Sequence, residues 1–95
     1  MQLEEKRVKL VKTIKVKNTL GLHMRPAALI VKILQLSRSS VFFTYKKDTI
    51  NARSIMSILT LIAKKNSRIV VTVEGKDAAL TMEALEEAFE TCFGE

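Results

Sequence analysis

Arg68-Ile69-Val70-Val71-Thr72-Val73-Glu74 is the most regular strand pattern in the sequence. Every second residue is a branched apolar one, in the order Ile69, Val71 and Val73, and this period of two is typical of a strand with one buried face. Gly75 follows directly and ends the run. The segment therefore predicts a strand that turns these three side chains toward a core.

A helix is predicted on each side of this strand. Downstream, Asp77 can cap a helix whose inner side is formed at three- and four-residue steps by Ala78, Thr81, Leu85, Ala88, Phe89 and Cys92. Upstream, Ser54 is a good N-cap for a helix with apolar positions Ile55, Ile58, Leu59 and Ile62. Asn66 is a plausible left-handed residue at the end of that second helix.

The first half of the chain completes the pattern. Val11 to Lys17 alternates like a half-buried strand, and Pro26 to about Leu36 fits a helix with proline in its first turn. Val41 to Tyr45 and Thr49 to Ala52 read as a hairpin with a turn at 46–48. The order β-α-β-β-α-β-α predicts an α+β domain over residues 1–95, with a four-stranded antiparallel sheet and three helices on one face. Met1 to Val8 is predicted to be a flexible N-terminal extension.

Length and charge limit the function classes. The chain has 95 residues, 47% of them apolar, which suits one core and excludes a multi-domain enzyme. Residues 1–73 hold 15 basic and 3 acidic side chains, whereas residues 74–95 hold 1 basic and 7 acidic ones. The basic part predicts an acidic partner, and charge alone does not distinguish nucleic acid, an anionic membrane surface and an acidic protein.

Cysteine content and hydropathy predict a cytoplasmic protein. Cys92 is the single cysteine and cannot form an internal disulfide, and no Cys and His cluster has the spacing of metal ligands, so we expect no metal site. The N-terminus lacks the apolar centre of a signal peptide, and no apolar run approaches the roughly 20 residues of a membrane-spanning helix. We expect no membrane insertion, and a buried, small apolar role for Cys92.

The strongest candidate site surrounds the only histidine, His23, within Leu20-Gly21-Leu22-His23-Met24-Arg25-Pro26-Ala27-Ala28. A helix N-terminus offers unpaired N–H groups and partial positive charge, which attract a phosphate-like dianion. The same field disfavours a protonated imidazole, so we expect a neutral His23 with a ring nitrogen free as a nucleophile. The planar fork of Arg25 suits phosphoryl oxygens. We expect no acidic side chain near His23. The residues alone also permit a solvated or capping histidine beside ordinary surface charge.

The heptad Gly21-Leu22-His23-Met24-Arg25-Pro26-Ala27 resembles the active-site signature of the HPr family, the histidine-containing phosphocarriers of the bacterial phosphoenolpyruvate-dependent sugar phosphotransferase system. Asn51-Ala52-Arg53-Ser54-Ile55-Met56 is similar to that family's second marked segment. The resemblance implies an open-faced β-sandwich and a carrier, not an enzyme. It also implies phosphorylation of His23 on Nδ1 by enzyme I, support from Arg25, and transfer to enzyme IIA domains without a cofactor.

Ser54 and its surroundings imply regulation and docking. The family resemblance implies that an ATP-dependent HPr kinase/phosphorylase phosphorylates Ser54, which would add about two negative charges to a surface meant for acidic partners. Phosphorylation should therefore weaken transfer to His23. We expect a monomer whose partner surface combines apolar and basic side chains, with Met24, Leu29, Arg53, Ile55 and Met56 as its contact residues and a basic rim that includes Arg25, Lys32 and Lys65.

Two alternatives remain at this point. RNA-recognition domains share the order β-α-β-β-α-β, but they need aromatic side chains on the open sheet face. Here alternation sends Val41, Phe43 and Tyr45 to one face and leaves only Phe42 on the other, so we expect no nucleic-acid partner. The other alternative is a regulatory scaffold that acts through Ser54 alone, and it predicts that replacement of His23 changes nothing.

Overall fold

The computed structural model describes residues 7–95 of the chain. Within them the elements are β1 (Val8–Lys15), α1 (Met24–Leu34), β2 (Ser40–Tyr45), β3 (Asp48–Asn51), α2 (Ile55–Thr60), β4 (Arg68–Gly75) and α3 (Ala78–Glu90), followed by a short 3-10 turn (Cys92–Gly94). The predicted α+β order β-α-β-β-α-β-α is confirmed.

The four strands of the described chain form one antiparallel sheet in the order β1-β4-β2-β3. β4 is a central strand, and its predicted inward residues Ile69, Val71 and Val73 are fully buried. In β2, Phe43 is buried and Phe42 is exposed. The opposite, open face of the described sheet therefore lacks the pair of exposed aromatic side chains on which bases could stack.

The helices cover one face of the sheet and, within residues 7–95, enclose one core cluster. α1 contributes Ala27, Ile30 and Leu34, and α3 contributes Met82, Leu85 and Phe89, all of them buried. Phe89 packs edge-on against Phe43 of the sheet, with ring centroids 6.1 Å apart. Full burial of side chains of this size contributes roughly 1.5–3 kcal/mol each, so this contact between helix and sheet is a principal source of stability.

Both ends of β1 and the end of α1 differ from the sequence-based predictions. β1 begins at Val8, which pairs with Gly75, so Val8 belongs to the sheet and not to an extension. Residues 1–6 of the predicted extension lie outside the described residues. β1 ends at Lys15 and not at Lys17. α1 ends at Leu34, and Leu36, which was predicted to be helical, is exposed.

The second helix is shorter than its apolar spacing predicts. α2 ends at Thr60, and Ile62 is exposed at a φ of +50°, a left-handed conformation that is rare for a branched residue. The chain turns here because Ala63 must reach the loop before α1, where its carbonyl accepts a hydrogen bond from the Leu22 amide at 2.9 Å. Asn66 is left-handed as predicted, with φ +75°, but it lies before β4 and not at the helix end.

The ends of α3 also differ from the predictions. Asp77 occupies the N-cap position, but its side chain makes no capping hydrogen bond to the helix. The carboxylate instead accepts hydrogen bonds from the Ser39 hydroxyl at 2.5 Å and the Arg38 amide at 2.9 Å, and these two bonds, in that order, lower the pKa of Asp77 below its ordinary value of 3.8. Cys92 lies beyond the helix and is partly exposed. The next residue, Phe93, is buried in place of Cys92.

Candidate functional site

The loop before α1 is held in place by close backbone contacts. Gly21 has a φ of +69°, and a Cβ at this position would collide with the carbonyl oxygen of Ala63. The buried Asn18 side chain donates from Nδ2 to the Gly21 carbonyl at 2.5 Å, and the Leu22 amide donates to Ala63. Only glycine suits this left-handed and crowded position. Gly21 therefore determines the direction in which the chain enters α1.

His23 is the N-cap residue of α1 in an extended conformation, with φ −81° and ψ −168°. Its side chain makes no capping hydrogen bond, so the ring is not used to satisfy the helix. The Ala27 amide donates to the His23 carbonyl at 3.1 Å, and Pro26 has no N–H to satisfy. The amides of Met24 and Arg25 therefore remain without an intrahelical acceptor at the end of α1 that carries partial positive charge.

Arg25 is exposed in the first turn of α1. Its guanidinium makes no hydrogen bond or ion pair with any residue of the range 7–95, so its five donors are available. It lines an open groove of about 380 Å³ together with Lys17, Asn18, Cys92 and Glu95. Cys92 thus lies in the wall of a groove beside the candidate site, and not in the core as predicted.

Glu95 brings an acidic side chain to His23, so the expectation that no acidic side chain lies near this histidine is wrong. Its Oε2 atom lies 2.6 Å from His23 Nε2, and the two side chains are 19% and 32% exposed. Nε2 is enclosed, and the contact lacks the alignment of a hydrogen bond. The other carboxylate oxygen, Oε1, accepts a hydrogen bond from Asn18 Nδ2 at 2.9 Å. Local pattern gave no signal for this contact, because the two residues lie near opposite ends of the chain.

Part of the positive charge of the strands and loops is neutralised by α3. Lys12 pairs with Glu86 at 2.9 Å and Lys17 pairs with Glu90 at 2.6 Å. Both pairs are exposed, so each contributes little to stability. They nevertheless reduce the positive field along one side of the molecule, whereas Arg25 at the start of α1 forms no ion pair with any other described residue.

Ser54 caps α2 as predicted, because its Oγ accepts a hydrogen bond from the Ser57 amide at 3.2 Å. The neighbouring Arg53 was predicted to contact partners, but its guanidinium is engaged within the chain. It donates to the carbonyl of Leu34, the last residue of α1, at 2.7 Å. It also donates to the carbonyls of Ser37 at 2.9 Å and Ser39 at 2.7 Å, which follow the helix. Arg53 therefore fastens the segment that carries Ser54 to the C-terminal end of α1.

The other predicted contact residues differ in accessibility. Met24 is 56% exposed and Met56 is 70% exposed, whereas Leu29 and Ile55 are partly buried against the core. Two apolar residues that the sequence analysis did not select, Leu20 and Ile62, are also exposed. They line a cleft of about 290 Å³ with His23 and Lys64. The available signal for Leu20 was its apolar side chain in the segment between a predicted strand and a predicted helix.

The helices of residues 7–95 include none with the length and apolar character required to cross a lipid bilayer. A model of the family described as the phosphotransferase system HPr component phosphorylation site matches residues 10–91, a range that contains His23 and Ser54.

Relatives and solved structures agree with that match. Phosphocarrier protein HPr of Chlamydia pneumoniae is 45% identical over 80 residues, which cover 84% of this chain and 74% of the relative. Crystal structures of HPr proteins from Thermoanaerobacter tengcongensis and Bacillus anthracis superpose with TM-scores of 0.86 and 0.81 at 35% and 36% identity. The superpositions cover 90% of this chain and 97% of the first structure, and 85% of this chain and 96% of the second. The open-faced fold is thus that of the HPr proteins, and the chain belongs to the HPr family of phosphocarrier proteins of the phosphotransferase system.

Proposed function

We propose that His23 accepts a phosphoryl group from enzyme I and passes it to enzyme IIA domains. The observation that carries this proposal is the start of α1, where the His23 imidazole caps nothing and lies beside two helix amides and, two residues on, the guanidinium of Arg25, none of which has a partner within residues 7–95. A phosphoryl group on His23 would bring negative charge to the helix end that favours it. Membership of a phosphocarrier family supports the same function.

The transfer needs a nucleophile and charge stabilisation and little else from this chain. The lone pair of His23 Nδ1 attacks the phosphorus of a phosphohistidine on the donor, the donor's N–P bond breaks, and its electron pair returns to the donor ring. Arg25 stabilises the equatorial oxygens through its fork of N–H donors. The partner supplies the remaining groups, so the chain acts as a carrier and the complete site exists only in the complex.

Intact-mass measurement tests this function. The purified chain is incubated with phosphoenolpyruvate, magnesium and a bacterial enzyme I, beside a His23→Ala control. We expect the unmodified chain to gain one acid-labile phosphoryl group and the control to gain none, because phosphohistidine is lost in acid whereas phosphoserine is not. No gain with several enzyme I sources would contradict the proposal. An Arg25→Ala variant is expected to react about ten- to a hundredfold more slowly.

Ser54 is included in the proposal as a regulatory phosphorylation site for an ATP-dependent kinase. Its hydroxyl is bound only to the Ser57 amide within the described chain, and it is partly exposed. A phosphoryl group there would add about two negative charges to the basic side of the molecule and would repel an acidic partner. Kinase treatment with ATP should add an acid-stable phosphate to the chain but not to Ser54→Ala, and should slow phosphorylation of His23.

The exposed apolar side chains around the site are proposed as the docking surface. Met24, Leu20 and Ile62 would form its apolar part, with Met56 on the neighbouring α2, and Arg25 would form part of its basic edge. An apolar centre with a charged rim is the usual composition of a protein interface. We infer that the carrier acts as a monomer in the cytoplasm, where its phosphoryl donors and acceptors would meet it. Substitution of Met56 by Glu should weaken transfer without loss of folding, because it removes an apolar contact and adds a charge that repels an acidic partner.

A further inference from the structure

Ile62 occupies a position that costs the fold free energy in two ways. Its φ of +50° lies in the left-handed region, where a branched residue is strained. Its side chain is also 72% exposed, so its apolar surface gains little from burial. The turn itself is needed because Ala63 bonds to Leu22, but glycine would form that turn without strain. Stability therefore gives no reason for isoleucine at this position, whereas an apolar contact with another molecule would.

Ile62 lies between two depressions of the surface. One is the cleft of about 290 Å³ that contains His23. The other is an open groove of about 440 Å³, which we call the lysine groove, lined by residues of the turn between β2 and β3 and of the end of α2. Ile62 and Lys64 line both depressions. A chain segment bound beside His23 could therefore continue over Ile62 into the lysine groove.

The lysine groove carries positive charge that the described chain does not neutralise. Lys46 and Lys64 line it, and neither forms an ion pair with another residue of the range 7–95. The Lys46 Nζ atom lies over the Tyr45 ring, 5.3 Å from its centroid. The next residue along the chain is in each case another exposed lysine. Asp48 is the one acidic side chain among the lining residues, so the charge of this surface is positive.

The polar groups of the lysine groove are mainly hydrogen-bond donors. The Tyr45 hydroxyl accepts a hydrogen bond from Ser67 Oγ at 3.2 Å, and its own O–H has no acceptor within the described chain. The ammonium groups of Lys46 and Lys64 can only donate. Positive charge combined with O–H and N–H donors is the composition that binds a carboxylate. The groove is thus suited to Asp or Glu side chains of another protein.

We propose that the lysine groove binds an acidic, extended segment of the phosphoryl donor, and that Ile62 is the apolar contact between this segment and the His23 cleft. The inference rests on the proposed function and extends the docking surface beyond α1 and α2 to the turn between β2 and β3. Charge complementarity supports an acidic occupant, because the lysines of the groove lack acidic partners in the described chain. The free energy that the fold loses at Ile62 is then recovered in the complex.

Three variants and one matched control test the inference. Lys46→Glu and Lys64→Glu reverse the two groove charges, and Ile62→Gly removes the side chain together with the left-handed strain. Lys9→Glu is the control, because Lys9 is exposed on β1, at the opposite edge of the sheet from β3, and its replacement changes the net charge equally. Titration calorimetry with a bacterial enzyme I, without phosphoenolpyruvate, gives the Kd of each chain. Thermal unfolding reports the fold.

The expected results separate docking from structure. Lys9→Glu should bind enzyme I with a Kd within about twofold of the unmodified chain. Lys46→Glu and Lys64→Glu should each raise the Kd about fivefold or more in dilute buffer, and added salt should reduce this difference. Ile62→Gly should raise the Kd about threefold or more while its melting temperature stays equal or rises, because the strain is lost with the side chain. A purely structural Ile62 would instead give a lower melting temperature.

The failures of the two proposals are distinguishable. Equal Kd values for the groove variants and Lys9→Glu would overturn the inference, and so would an unmodified chain that does not bind enzyme I. Shifts of the Lys46 and Lys64 amide resonances by inorganic phosphate, with donor binding unchanged in the variants, would indicate a small-anion site and would also overturn it. If the variants weaken binding but the unmodified chain gains no phosphoryl group when phosphoenolpyruvate is added, the proposed function fails while the lysine groove stands.

Discussion

Replacement of Arg53 by alanine is expected to lower the stability of the protein. Its main effect should be on folding and not on partner binding. The variant loses three hydrogen bonds from one guanidinium to the carbonyls of Leu34, Ser37 and Ser39. Bonds to a charged donor contribute about 1.5–3 kcal/mol each when buried, but Arg53 is exposed and the freed carbonyls can bind water, so about 0.5–1 kcal/mol each is appropriate here. The expected loss is about 2 kcal/mol.

A loss of that size is measurable in a domain of this length. It corresponds to a melting temperature lower by about 8–16 °C. Urea unfolding followed by circular dichroism would give the free energy of unfolding of the unmodified chain, Arg53→Ala and Arg53→Lys. The lysine variant keeps the charge but has no planar fork and cannot serve three carbonyls, so it should recover less than half of the loss.

The phosphorylation rate at 25 °C distinguishes the two roles of Arg53. If Arg53 mainly fastens the segment before α2 to the end of α1, the rate should change little at a temperature where the variant remains folded. A stability change below about 0.5 kcal/mol would refute the reasoning. So would full recovery by Arg53→Lys, because charge alone and not the fork would then suffice. A slower transfer at unchanged stability would favour the partner contact predicted from the sequence.

Three further predictions concern single side chains of the fold and its caps. Gly21→Ala should destabilise by about 3 kcal/mol or more in urea unfolding, because it adds a left-handed strain to a backbone collision; a loss below 1 kcal/mol would contradict the described loop. Ser54→Ala should cost about 1 kcal/mol through loss of the cap, whereas Ser54→Asp should keep the cap and slow transfer. The pKa of Asp77 is lowered by the Ser39 and Arg38 bonds, so its stabilising effect is present above its ordinary value of 3.8 and is lost as the pH falls through the lower native value. Asp77→Asn should therefore be less stable than the unmodified chain near neutral pH, and the difference should close below that value.

Much of the fold could be predicted because its strongest signals are local. The alternation of Ile69, Val71 and Val73 and the helical spacing in α3 each depend on neighbours within one element. The heptad around His23 is also local, which is why the candidate site could be selected from the sequence. Ser54 is a good capping residue and directly precedes an apolar helical pattern. The structure confirms that it caps α2.

The features that could not be predicted depend on contacts between distant segments. Ile62 fits the helical spacing, yet α2 ends before it because the chain must bring Ala63 to the loop before α1. Asp77 has the residue type of a cap, but the hydroxyl of Ser39 offers its carboxylate a competing donor. Glu95 contacts His23 across a long separation in sequence, and no period or motif encodes such a contact.

The ion pairs of Lys12 with Glu86 and of Lys17 with Glu90 have a consequence for the speed of encounters. These pairs reduce the positive potential along the edge of β1 and α3, so under the proposed function a negatively charged partner would be attracted more strongly to the start of α1, where Arg25 and His23 lie. Collisions with other sides of the molecule become less frequent relative to productive ones. Removal of Glu86 would thus uncover the charge of Lys12 and, under the proposed function, reduce the fraction of first encounters that present the imidazole to the donor.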